Sequence, residues 1–178
     1  MKRYLIFVFP LFLYSCNWFK PVPPQDDLTQ LPPETQEGKD TFGCLVNGQV
    51  WRNQGEEVWG PRDLQGGYHQ GAFSISADKI IEPLSEGIAI HISKHFHGVG
   101  LYQLSANFNT NGTQYALYSH SDACEYITDS LNIGILEITR FDSISPYIVS
   151  GRFHFTVSTP GCDTVRITEG RFDHKYAN

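Results

Sequence analysis

The stretch Thr41-Phe42-Gly43-Cys44-Leu45-Val46-Asn47-Gly48-Gln49-Val50-Trp51 decides the fold. Two runs rich in β-branched, aromatic and other apolar residues flank Asn47-Gly48, the pair that best supplies the two positive-φ positions of a type I′ turn. A tight hairpin is predicted, with Leu45 facing Val50 and Cys44 facing Trp51. Working outward, no window keeps an apolar repeat of 3.6 over three turns, whereas alternation of period two recurs. It predicts further strands over 72–77 (Phe73, Ile75 and Ala77 inward), 87–93 (Ile88, Ile90 and Ile92 inward), 101–108, 114–118, 124–128, 133–139, 148–157 and 164–172. Gly151-Arg152-Phe153 and Gly170-Arg171-Phe172 lie symmetrically about a turn at 158–163, so they read as one terminal hairpin, not a repeat. Its inward residues coincide only in an even register such as Phe155 opposite Ile167. An all-β antiparallel sandwich of about ten short strands is expected, with a calycin-like barrel as the alternative.

Upstream, Met1-Lys2-Arg3 is a cationic start, followed by an apolar run from Tyr4 to Leu13. Ten residues fall far short of the roughly 20 needed to span a bilayer, so the segment reads as a secretory leader. Its end, Leu13-Tyr14-Ser15-Cys16, resembles the lipobox of bacterial lipoproteins. The resemblance implies lipidation of Cys16, cleavage before it and a membrane attachment through two or three acyl chains. Residues 1–15 are then the signal peptide, 16–40 a lipidated cysteine with a proline-rich, solvated tether, and 41–178 one domain. Cleavage removes Lys2 and Arg3 from the 13 basic residues and leaves 11 against 19 acids, a net of −8. That balance argues against nucleic acid and against electrostatic adhesion to anionic lipid.

With Cys16 spent on lipid, Cys44, Cys124 and Cys162 remain. Cys44 sits mid-strand in apolar context; Cys124 and Cys162 lie near strand ends and are the expected disulfide, although spacing alone fixes no connectivity. His91, His95 and His97 are the one cluster with metal-ligand flavour. No Asp, Glu or Cys accompanies them at tight spacing, Lys94 stands among them, and His91 alternates with Ile90 and Ile92 as a solvent-facing strand residue would. The segment from Trp51 to Gly71 gathers Trp51, Trp59, Tyr68 and Arg62 among glycines, a mixture suited to sugar; the competing reading folds the tryptophans back as a cap on the core. Glu56 and Glu57 are adjacent and point to opposite sides of an extended chain, so they cannot flank one glycosidic bond. No nucleophile elbow, zinc-protease pair, phosphate loop or dinucleotide fingerprint is present, so neither catalysis nor a cofactor is expected.

The opening Thr41-Phe42-Gly43-Cys44-Leu45-Val46-Asn47-Gly48, preceded by Leu31-Pro32-Pro33-Glu34-Thr35-Gln36, and the closing Ile167-Thr168-Glu169-Gly170-Arg171-Phe172-Asp173 resemble a family of uncharacterised lipoproteins of the Bacteroidota, carried as a domain of unknown function. The resemblance implies an all-β domain in the cell envelope, at the outer membrane, with leaflet and face left open. It carries over no catalytic residue. The expected function is a lipid-anchored, non-catalytic binding or structural module for a glycan or an envelope protein; the alternative is a β-barrel carrier of a small apolar ligand.

Overall fold

A computed structural model of the chain describes residues 26–54, 56–57, 60–61, 64–81, 83–106, 113–121 and 124–176. Asn47 and Gly48 take φ values of 51° and 80°, so the turn joins β1 (Thr41–Val46) to β2 (Gln49–Arg52) with Leu45 opposite Val50 and Cys44 opposite Trp51, as predicted. The strands that follow are β3 (Glu56–Glu57), β4 (Gly60–Pro61), β5 (Gln65–His69), β6 (Ala72–Ile81), β7 (Leu84–Ile92), β8 (Gly100–Leu104), β9 (Gln114–His120), β10 (Glu125–Ile127), β11 (Gly134–Phe141), β12 (Ile148–Val157) and β13 (Val165–Lys175). A first sheet has the order β2-β1-β13-β12-β11-β8, and a second has β10-β9-β7-β6-β5; β3 and β4 form a small pair of their own. The two antiparallel sheets pack together and do not close into a barrel.

Alternation explains the packing. Phe73, Ile75 and Ala77 on β6 and Ile88, Ile90 and Ile92 on β7 are buried and point between the sheets. They meet a first-sheet layer that includes Phe42, Trp51 and Phe172 in one continuous cluster. Phe73 and Phe172 stack across the interface with ring centroids 6.3 Å apart. β12 and β13 pair with Phe155 opposite Ile167.

The alternation breaks once in β13, with consequences. Val165 and Ile167 face the core; then the pairing with both β1 and β12 shifts by one residue and Glu169 takes a left-handed φ of 54°. Such a bulge reverses the side-chain parity of everything after it. Phe172 therefore turns inward, and Asp173 turns to the outer face of the first sheet.

Residues 31–40, expected to belong to a solvated tether, instead form a strap across that outer face, and the structural unit begins well before Thr41. Leu31 is buried, and Pro32 lies over Gly43, where a Cβ would come within 2.6 Å of the proline ring. Glu34 takes a hydrogen bond of 2.8 Å from Arg152 Nε and faces Arg171 Nη1 at 4.0 Å; the Arg152 guanidinium beside it holds the Glu34 carboxyl below the usual range. Asp173 then fastens the strap. Its Oδ2 accepts from Thr35 Oγ1 (2.6 Å) and the Glu37 and Lys39 amides (2.9 and 3.1 Å), and its Oδ1 accepts from the Gly38 amide (2.9 Å) and Ser150 Oγ (2.8 Å). Successive amides converging on one carboxylate form an anion-binding nest. Gly38 allows it, since its φ is 72° and a Cβ would crowd Lys175 and Ile148 at 3.0–3.1 Å. Arg140 reaches the strap as well, donating to the Gln36 carbonyl.

Cys124, just before β10 of the second sheet, is joined to Cys162 in the β12–β13 turn of the first. The bridge staples the sheets at one end, where Thr159 Oγ1 also donates to the Glu125 carbonyl at 2.8 Å. Its ends are 38 residues apart in sequence, and closing such a loop in the unfolded chain is worth about 2–4 kcal/mol. Replacing both cysteines with alanine should lower unfolding free energy in urea by that amount while leaving the native near-ultraviolet spectrum unchanged; an unaltered midpoint would contradict it.

Candidate functional site

The strap covers the β1, β13 and β12 part of the first sheet's outer face and leaves a recess of about 280 Å³ beside β8 and β11; the outer face of the second sheet carries a larger groove. Period two places there the residues that alternate with the buried set: Ser74 and Ser76 on β6, Ala89 and His91 on β7, Tyr115 and Leu117 on β9. The ladder pairs Gly67 with Ser74, Ser74 with His91 and His91 with Tyr115, a row across four strands that spans about 14 Å at the usual strand spacing. At its β5 end, Gln65, Gly67, His69, Ser74 and Ser76 line an open groove of about 440 Å³. At the other end the rings of His91 and Tyr115 lie 5.4 Å apart. Burial pushes the His91 imidazole below its ordinary value, so it is neutral near pH 7 and offers one donor and one acceptor. Among the described residues, those that line the groove include no carboxylate, lysine or arginine. Hydroxyls, an amide and neutral imidazole match the hydroxyls of an uncharged polar ligand.

The residues singled out in the sequence fare differently. Trp51 is fully buried, edge-on to Phe42 at 5.8 Å, and belongs to the core instead of a sugar site. Its place follows from the hairpin register, which sets it on the same face as Cys44. Tyr68 lies on β5, but its ring turns toward the core, 5.6 Å from Phe96 and 5.3 Å from Phe141. Trp59 and Arg62 lie outside the described residues, as does Cys16. The histidines do not converge. His91 is on the outer face of β7, His95 is exposed in the connection to β8, and His97 stacks on Tyr102 at 4.7 Å. Among the described residues no group of three His, Cys, Asp or Glu side chains is placed to hold a metal ion.

One further polar cluster lies on the inner side of the second sheet, at the end closed by the disulfide. Glu86 stands between Lys79 Nζ and His120 Nε2, each at 3.6 Å. The Cys44 thiol next to it is fully buried; burial, and then the Glu86 charge, push its pKa upward, so it stays protonated. A protonated, enclosed thiol is not a nucleophile. The cluster seals the end of the core.

The clasp escaped the sequence reading, although its partners stand in the two strings that carry the family resemblance. Glu34, Thr35 and Gln36 of the first string meet Arg171 and Asp173 of the second. No curated protein and no solved structure shows significant similarity to the chain. The family model of DUF6252, a domain of unknown function, matches residues 46–174, which takes in every strand of both sheets except most of β1 and the last residue of β13. By that match the chain belongs to the DUF6252 family.

Proposed function

We propose that the chain is a lipid-anchored protein of the bacterial cell envelope, and that its β domain is a non-catalytic module that binds an uncharged glycan in the groove of the second sheet. One observation carries this reading. Residues 31–40 are spent on covering the β1, β13 and β12 part of the first sheet, fastened by Asp173, while the opposite face keeps the larger groove, about 440 Å³, lined by hydroxyl, amide and imidazole groups. Membrane attachment rests on Cys16 and its acyl chains. The rival reading, a carrier with its ligand between the sheets, gains no support from a core in which Phe42, Trp51, Phe73 and Phe172 pack into one cluster.

Glycan-array screening of the mature domain should return neutral oligosaccharides, and Ser74→Ala or Gln65→Ala, both in the groove lining, should each weaken binding roughly tenfold, the worth of one lost hydrogen bond with its partner left unpaired. Binding that survives both substitutions unchanged would remove the groove from consideration. Intact mass of the membrane-extracted protein tests the anchor: acyl chains on Cys16 are expected, and Cys16→Ser should release the protein from the membrane.

A further inference from the structure

Leu28, Ile81 and Leu84 are large apolar side chains left 44 %, 49 % and 50 % exposed, and all three belong to the end of the sandwich at which the strap begins. Leu28 lies in a short 3-10 helix, Asp26–Gln30, that packs against β2. Two residues past β2, Gln54 donates to the Asp78 carbonyl at 3.0 Å and accepts from the Ile80 amide at 2.6 Å. Ile81 and Leu84 are the next pair, closing the β6–β7 ladder. The Cys124–Cys162 bridge ties this end of the second sheet, through the pairing of His120 with Glu86, to the β12–β13 turn, which lies beside the Asn47-Gly48 turn. From there the strap climbs away, passing over Gly43 and ending on Asp173 and Lys175.

The groove lies along the half of β6 nearer the other end, from Ala72 to Ser76. β6 runs from Ala72 in the groove lining to Ile81, about 30 Å at 3.3 Å per residue. Nine residues separate Cys16 from Asp26, so even fully extended they allow about 35 Å between the acylated cysteine and the domain. The lipid surface is therefore within reach of the strap-entry end, and an anchored domain meets it at a high effective concentration.

We propose that Leu28, Ile81 and Leu84 form the surface on which the domain rests on the bilayer that holds its acyl chains, so that the groove, on the side of the standing sandwich, is held clear of the membrane. The placement rests on the anchored reading given above. The occupant is a lipid surface and the contact is apolar: a mature chain with 11 basic and 19 acidic residues is repelled by anionic headgroups, so salt should not release the domain. Half-exposed leucine and isoleucine side chains settle at the headgroup boundary, as apolar residues of membrane-surface elements do.

The test uses the full lipidated protein in vesicles of phosphatidylethanolamine and phosphatidylglycerol. A spin label is placed at Leu84→Cys and, as the distal reference, at His95→Cys, which is exposed next to Phe96, whose amide bonds to Gly71 beside the start of β6. Cys44 is buried and does not compete for label. The label at position 84 should be reached by oxygen and shielded from a water-soluble nickel chelate, the label at 95 should show the opposite, and Ile81→Ser should abolish the contrast without shifting Tm. Equal exposure to water at both positions, in protein whose intact mass shows its acyl chains, overturns the placement alone. A mass without acyl chains overturns the anchored reading and the placement together.

Discussion

Replacing Asp173 with alanine is expected to remove about 3–5 kcal/mol of stability, the cost of deleting one partner from a buried, charged hydrogen-bond network. Asp173 is 1 % exposed, and its two oxygens accept five hydrogen bonds, four from the strap and one from Ser150. Alanine would strand the amides of Glu37, Gly38 and Lys39 and two hydroxyls. Asparagine keeps the shape but offers one acceptor oxygen and two unwanted donors, so a loss of about 2–3 kcal/mol is expected. Urea unfolding of the three proteins decides the matter, and a variant within 0.5 kcal/mol of the parent, about the scatter of surface substitutions, would refute the clasp.

The same residue sets an acid limit. Burial alone would raise its pKa, but hydrogen bonds from Thr35, Glu37, Gly38 and Ser150 outweigh it and hold the carboxyl at about 2, against an ordinary value of 3.8. Because the folded value is the lower, the unfolded chain takes up the proton first as pH falls. This contribution, about 2 kcal/mol, is complete above about pH 5 and fades as pH drops toward 2. Stability of the Asp173→Asn variant should therefore fall less steeply across that window than that of the parent.

Trp51→Ala is expected to cost about 3–5 kcal/mol, the range for emptying a large aromatic site in a core. Trp51 is 1 % exposed, on the face it shares with Cys44, and packs on Phe42, which in turn contacts Phe153 at 5.1 Å and Phe172 at 6.4 Å. The cavity would open under the β2 edge of the first sheet, between β2 and Phe42 of β1. A glycan site at Trp51 predicts the reverse pattern, lost binding with stability kept. Melting curves and glycan binding below the transition separate the two, and a stable but non-binding Trp51→Ala would return the tryptophan to the surface.

The hairpin and the inward faces of β6 and β7 were legible because their determinants are local. An Asn-Gly pair sets its own dihedrals, and a residue's face follows from its neighbours two positions away. The bulge left one trace, the change of parity between Ile167 and Phe172, easily taken for the end of a strand. The strap left none in periodicity, because its bonds are backbone amides reaching a carboxylate 134–136 residues away. A proline-rich segment with few apolar residues looks solvated unless its distant partner is known. Trp51 was readable in principle: pairing it with Cys44, an apolar inward residue, already sent it to the core, and only the glycine-rich sequence downstream suggested a sugar platform. The groove was hidden for another reason. Ser74, Ser76, His91 and Tyr115 come from three strands, and only the ladder registers bring them into line.

Amide hydrogen exchange at Glu37, Gly38 and Lys39 tests most directly whether residues 31–40 are part of the domain. Donation to the Asp173 carboxylate predicts slow exchange at these three amides at neutral pH, comparable to the strand amides beneath them, and fast exchange in Asp173→Ala. Exchange at the rate of an unstructured peptide in the parent protein would mean that residues 31–40 are a free tether, that the outer face of the first sheet is open, and that the second-sheet groove has no privileged claim to the partner.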